Sequence, residues 1–304
     1  MTGQPVPLAT SPGASSPGAS SPGASSPPAP TSTADVARAR TRRRRPFLRI
    51  GLGILATLVV VGAVGPFLVA DPLAVDPSNA LLPPSGAHWF GTDFYGRDVF
   101  ARAVHAIRLD LLLGVSIALL AMVVGSALGV VSGYLGGRVD DVVMRCVDVL
   151  MSFPGFVLAM ILLLAIGEST PKLALALAVA AVPPFVRLVR AEALTQRELE
   201  YVDGARVAGA GWSRIAFGHV LPNSLRPAAV QFTLVCGYSI LNVAGLAYLG
   251  IGIHAPTPEW GVMVAEGAQN MLTGQWWTAF FPGLLIAVTV MGLHFVGDDL
   301  GGDR

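Results

Sequence analysis

Six stretches of this chain are apolar enough and long enough to cross a bilayer, where a spanning helix takes about 20 residues. They are predicted at 47–70, 109–134, 140–167, 173–189, 227–253 and 277–296. The third opens amphipathically at Asp140 and turns fully apolar through "FVLAMILLLAIG". The fourth is expected to be interrupted at Pro183-Pro184, because a proline inside a helix removes a hydrogen bond and clashes with the preceding turn.

The polar stretches between these runs differ in character. Residues 1–46 repeat a Ser-Pro-Gly-Ala unit ("SPGASSPGASSPGASSPPAP") that buries no apolar area, so a disordered tail is expected. The arginine run "RARTRRRR" from Arg38 to Arg45 follows it. The segment 71–108 is rich in proline, glycine and aromatics. Its end, 96–108, predicts an amphipathic helix on the outer face with Val99, Ala103, Ala106 and Ile107 on one side.

Between the fourth and fifth spans lies "ELEYVDGARVAGAGWSRIAFGHVLPN", too long and too charged for a simple reversal. Thr195 followed by Glu198 is a capping-box pattern that predicts a helix start. One face at helical spacing, Tyr201, Ala205 and Ala208, continues it until Gly209 stops it as a C-cap. A second short helix is expected over 212–220, broken by Leu221-Pro222. Gly204, Ala205, Ala208, Gly209, Ala210 and Gly211 cluster at the joint and permit close approach of another surface. The residues alone leave two readings open. One is a docking elbow; the other is an amphipathic helix on the inner leaflet, served by Arg206, Arg214 and Trp212.

Charge orients the predicted spans. An even number places both termini on one side. Sixteen of the 20 Lys and Arg residues then face the cytoplasm, and only Arg97, Arg102, Arg108 and Lys172 fall outside. The N-terminal arginines are also placed to touch anionic lipid. Composition agrees with a bilayer as the solvent: 53% hydrophobic, 13% charged, mean hydropathy +0.63, where a soluble domain carries about a quarter charged residues. The net charge of +1 gives no reason to expect a nucleic-acid partner.

The candidate chemistry is sparse. Cys146 and Cys236 lie far apart and read as packing residues. His88, His105, His219, His254 and His294 form no metal-binding interval, so no metal and no catalytic group is expected. Lys172 is the only lysine and sits in no glycine-rich phosphate loop, so any ATP must bind another chain. On the fifth span Gln231, Tyr238 and Asn242 share a helical face, which either lines a pathway or packs against neighbours. Arg145 and Asp148, three apart, are expected to pair as a structural contact.

The stretch "EYVDGARVAGAGWSRIAFGHVLPN" closely resembles the cytoplasmic signature of binding-protein-dependent ABC importer permeases, matched at Asp203, Gly204, Ala205, Gly209, Leu221 and Pro222. "HWFGTDFYGRDVFAR", "GYLGGRVDDVVMRCVDVLMSFPGF", "YLGIGIHAPTPEWGVMV" and "FFPGLLIAVTV" look like the second permease type of the dipeptide/oligopeptide/nickel group. The resemblance covers about 47–300. It implies an all-α integral membrane protein with about six transmembrane helices in a type I importer permease fold. The first helix and an extracytoplasmic segment (47–108) would precede the permease domain (109–300), with the coupling region at 195–222.

By the same resemblance, the chain is the permease subunit of an ATP-driven importer moving di- or oligopeptides, or a similar small solute, inward across a bacterial cell membrane. Its implied partners are a related permease in a heterodimer, two ATPase subunits, an extracytoplasmic substrate-binding protein and the lipid bilayer. ATP and Mg would be held on the partners, with no cofactor on this chain. Tyr201, Asp203, Gly204, Ala205, Arg206, Ala208, Gly209, Trp212, Leu221 and Pro222 would carry ATPase coupling, with Asp203 and Arg206 at the rim of a groove and Ala205 and Ala208 packing closely. Substrate would pass between the two permeases, lined mainly by spans three and five.

Three features depart from the family pattern. Gly204 replaces an alanine, Val243 stands where many relatives carry an acid, and the end "GDDLGGDR" lacks a longer Asp-Pro tail. The rival class is a secondary active transporter with no ATPase partner, which would need carboxylates or broken helices at mid-membrane.

Overall fold

The computed structural model describes residues 46–301; the repeat tail, the arginine run up to Arg45 and Arg304 lie outside them. Ten α-helices follow one another: α1 (Pro46–Val64), α2 (Val99–Leu135), α3 (Gly137–Met151), α4 (Gly155–Ile166), α5 (Thr170–Gln196), α6 (Glu200–Val207), α7 (Trp212–Ile215), α8 (Leu221–Tyr248), α9 (Trp260–Met271) and α10 (Trp277–Gly301). A π-turn, Ala216–Val220, joins α7 to α8. Among the described residues the one extended pairing is an isolated bridge between Thr92 and Asp98.

Five helical stretches are long and apolar enough to span a membrane: Phe47–Phe67, Val99–Leu135, Thr170–Gln196, Trp212–Tyr248 and Trp277–Gly301. The predicted third span becomes two helices, α3 and α4, bent by 92° at the break. Pro154, the N-cap of α4, is the reason: a proline starts a helix readily but pushes the residue before it out of the α region. At 12 residues, α4 reaches only about 18 Å.

Two expectations about proline are corrected. Pro183-Pro184 does not interrupt the fourth span, since α5 runs through both. Buried Phe185, Val186 and Val189 press this part of α5 onto α2, and tertiary packing outweighs local propensity. Leu221-Pro222 likewise does not break the helix after the elbow. The Leu221 N–H reaches back to the Ala216 carbonyl across the π-turn, a five-residue step. That wider turn brings the chain into α8 with Pro222 in its first turn, where a missing N–H costs little.

The predicted outer amphipathic helix is the first three turns of α2 rather than a separate element. Asp98 caps it, its carboxylate accepting from the Ala101 N–H at 2.8 Å. Val99, Ala103, Ala106 and Ile107 are all buried, so the predicted face is the inward one.

Helix α2 is the central post and α5 is its main neighbour. Gly125, Gly129 and Gly133, four apart, form a groove on α2 into which the α5 backbone sinks; a Cβ on Gly129 would meet the Val186 carbonyl oxygen at 2.7 Å and the Arg190 nitrogen at 3.1 Å. Small residues at this spacing let two helix backbones meet closely. Gly129→Ala is therefore expected to destabilise the permease by about 1–3 kcal/mol, the usual cost of overpacking. The thermal midpoint of the purified protein would show it, and an unchanged midpoint would mean α5 is free to retreat.

The four cations that fell on the wrong side of the charge bias are all engaged. Arg97 donates from Nε to Asp93 at 2.6 Å and from Nη2 to Glu266 at 3.0 Å. Arg102 donates to the same two carboxylates at 2.7 Å each. Arg108 reaches the carbonyls of Gly62 and Ala63 at the C-terminus of α1, and Lys172 that of Ile166 at the end of α4. Cations at helix C-termini are favoured by the exposed carbonyls and the helix dipole.

At the same end, Trp89, Phe100, Phe90, Phe281, Trp276 and Phe280 form a chain of ring contacts, the Phe90–Phe281 pair stacked at 4.1 Å. Aromatic girdles of this kind sit at membrane–water boundaries. Nearby, Glu259 caps α9 by accepting from the N–H groups of Gly261 and Val262. Burial pushes its carboxyl above the usual range, although those two donors pull the other way.

Candidate coupling surface

The elbow between α5 and α8 lies at the opposite end of α2, whose 37 residues span about 55 Å. The predicted capping box does not form. Thr195 belongs to the last turn of α5, where its hydroxyl donates to the Ala191 carbonyl. Helix α6 instead begins at Glu200 after an extended Leu199. Its acids, Glu200 and Asp203, fall in the first turn and Arg206 in the last, as the helix dipole favours.

The predicted stop is present. Gly209 has φ +79°, the Ala210 N–H bonds back to the Ala205 carbonyl, and the Gly209 N–H bonds to that of Arg206. This is a Schellman ending, which needs a residue at positive φ and is therefore suited to glycine.

The face of α6 that turns inward differs from the predicted one. Val202 is buried, and Ala205 and Ala210 pack beside it on the cluster that holds Ile215, Ala216 and Val220. Ala205 therefore fastens the elbow to the bundle, while Tyr201 and Ala208 turn outward. The outward surface also carries Asp203, Gly204, Arg206, Val207 (90% exposed) and Trp212. A Cβ on Gly204 would meet nothing within 4 Å, so that departure leaves the elbow's own packing intact. Asp203 and Arg206 pair with each other at 2.8 Å rather than standing free.

Contacts from distant parts of the chain hold the elbow still. The Arg206 guanidinium lies over the Tyr134 ring at 5.7 Å. Tyr134 raises Arg206 above an arginine's ordinary value, and Asp203 adds to the effect. Arg197 donates to the Gly133 carbonyl at 3.0 Å, and Tyr201 donates to Gln196 at 2.8 Å. Arg190 of α5 grips Asp140 at the start of α3, and Ser132 of α2 donates to the same carboxylate. The α2 end, α3, α5 and α6 thus meet in one polar knot. Tyr134, Gly133 and Arg197 carry no local sequence signal for this role, since their partners lie 64 residues or more away.

Chain comparisons place this architecture. A family model described as "Binding-protein-dependent transport system inner membrane component" matches residues 125–298. The chain belongs to that family. The permease is 39% identical to a dipeptide transport system permease protein of Alkalihalophilus pseudofirmus, with 83% of each chain covered. It is 41% identical to a probable D,D-dipeptide transport system permease protein of Escherichia coli, over 81% of this chain and 83% of that one. Against a glutathione transport system permease protein of Pectobacterium atrosepticum it is 39% identical over 71% and 72%. The fold is that of an importer permease, a transport subunit and not an enzyme.

The predicted pathway residues are not brought to the elbow. Gln231 and Asn242 are half-buried on α8, and Tyr238, 58% exposed, sets its ring edge-on to His294 of α10 at 6.0 Å. Val243 is buried in a cluster with Leu113, Ile117 and Leu246. The predicted Arg145–Asp148 pair is replaced: Asp148 accepts from Arg187 of α5 at 2.7 Å, because the side chain of another helix lies closer than its own neighbour.

Proposed function

We propose that this chain is one of two permease subunits of an ATP-driven importer of di- or oligopeptides in a bacterial inner membrane. A related permease, two ATPase subunits that hold ATP and Mg, and an extracytoplasmic binding protein complete it. The observation that carries the reading is the elbow: α6 turns Tyr201, Asp203, Gly204, Arg206, Val207 and Ala208 outward while Val202 and Ala205 of its inner face pack on the hydrophobic core. Family membership supports the subunit set. The names of the relatives, two for dipeptides and one for glutathione, favour peptides as cargo.

In this reading the elbow and both termini face the cytoplasm, the side favoured by the arginines. Tyr201, Asp203, Gly204, Arg206, Val207, Ala208 and Trp212 meet an ATPase, and Ala205, Gly209, Leu221 and Pro222 hold the geometry. ATPase closure moves the elbow as a rigid body. Because α7, the π-turn and α8 are continuous, the movement passes directly into the membrane along α8. Gln231, Tyr238 and Asn242 ride on that helix towards the pathway between the permeases.

The test is uptake into proteoliposomes carrying the reconstituted transporter, with binding protein and a labelled dipeptide outside and ATP within. Uptake is expected to need both ATP and the ATPase subunits. Transport that survives without any ATPase would replace this reading by a secondary active transporter.

A further inference from the structure

Two carboxyl groups meet where the start of α9 lies against α2. Asp110, in the fourth turn of α2, is 2% exposed, and Glu259, the N-cap of α9, is fully buried. Each Glu259 oxygen accepts one backbone N–H, from Gly261 at 2.8 Å and from Val262 at 2.7 Å. Asp110 Oδ2 accepts from the Trp260 N–H at 3.2 Å, while its Oδ1 is buried with no donor in reach. The Asp110 and Glu259 side chains are themselves in hydrogen-bonding contact. An ionised carboxylate has no hydrogen to give, so one member of that contact is a carboxylic acid.

No cation stands by to hold both groups as ions. Arg97 and Arg102 serve Asp93 and Glu266, and Arg108 turns to the end of α1. Helix α8, packed against α2 and α9, carries no acidic or basic residue from Pro227 to its end at Tyr248. His254, in the loop before α9, contacts Glu168. Two like charges touching out of water repel, and one of such a pair keeps its proton. The donor count says which one. Glu259, with two N–H donors, is the better anion; Asp110, with one donor and an orphan oxygen, is the acid.

We propose that Asp110 and Glu259 form a closed proton-binding site, in which one proton on Asp110 bonds the Glu259 carboxylate and fastens the start of α9 to α2. Trp260 completes the joint. Its indole N–H donates to the Ala103 carbonyl of α2 at 3.1 Å. Gly261 lies against the Ala244 backbone of α8 with no room for a side chain. Shut away on all sides, the proton is a resident of the fold.

Infrared spectroscopy of the detergent-purified full-length permease near neutral pH reads the site directly, because carboxylic acids and carboxylates absorb in separate bands. The parent is expected to show a carboxylic-acid band that moves on carbon-13 labelling of its aspartate carboxyls and is missing from Asp110→Asn. Absence of that band from the parent would overturn the proposal. In Asp110→Asn the amide donates to Glu259 where the acid did and accepts from the Trp260 N–H, so the joint survives without the proton. From about pH 5 to 8 the unfolded chain has released the proton and the folded chain keeps it, so stability falls as pH rises. The parent's thermal midpoint is therefore expected to fall by about 2–4 °C per pH unit relative to Asp110→Asn. Parallel profiles would sink the assignment. So would a parent midpoint raised by sodium at constant ionic strength, which would put a metal cation where the proton is placed.

Discussion

Arg102→Leu is expected to cost the permease about 3–5 kcal/mol, the penalty for removing one partner of a buried ion pair. Arg102 is 1% exposed and serves both Asp93 and Glu266. Without it, one guanidinium, Arg97, must satisfy two carboxylates, of which Asp93 is 8% exposed. Asp93 also organises its loop, accepting from the N–H groups of Tyr95 and Arg97. The loss therefore unfastens the segment before α2 from α9.

The measurement is the thermal midpoint and the monodisperse yield of the detergent-purified chain. Arg102→Leu combined with Glu266→Leu should recover part of the loss, because the remaining Arg97–Asp93 pair is balanced. If the single variant is as stable as the parent, the network carries no structural weight. If the double variant is worse than the single one, charge imbalance is not the cause.

The sequence displayed this site only as an anomaly in its charge bias. Arg97, Arg102, Arg108 and Lys172 stand against the positive-inside pattern; Arg97 and Arg102 share the nearby Asp93 with Glu266, at least 164 residues away, and Arg108 and Lys172 bond bare carbonyls. Periodicity names faces and lengths, so the spans and the inward face of early α2 were legible. It does not name which distant element covers a face. Ala205 facing the core, Asp148 pairing with Arg187, and helices running on through Pro183-Pro184 and Leu221-Pro222 are all outcomes that periodicity alone does not name.

In those last two cases the local cost of proline is real, but a packed partner in one and a π-turn in the other absorb it. The Schellman ending at Gly209 was legible because its hydrogen bonds are all local. The glycines Gly125, Gly129 and Gly133 of α2 serve a helix far along the chain, α5, so their role has no local signal.

The coupling face separates cleanly into positions that test docking and positions that test folding. Ala205 packs on the core, so a large residue there would damage the elbow itself. Ala208 is exposed and lies at the C-cap of α6, beside Val207. Ala208→Arg is expected to leave the permease folded and inserted, with an unchanged thermal midpoint. ATP-driven uptake should fall by about tenfold or more, corresponding to at least about 1.4 kcal/mol of lost docking free energy, and the ATPases should no longer co-purify. Gly204→Ala is the companion variant: with open space around the new methyl group, it should keep uptake while firming α6 by about 1 kcal/mol. If Ala208→Arg transports and assembles like the parent, the ATPase docks elsewhere. If Gly204→Ala alone blocks uptake, the groove on the ATPase reaches that position more closely than any alanine permits, and the glycine is a requirement of docking.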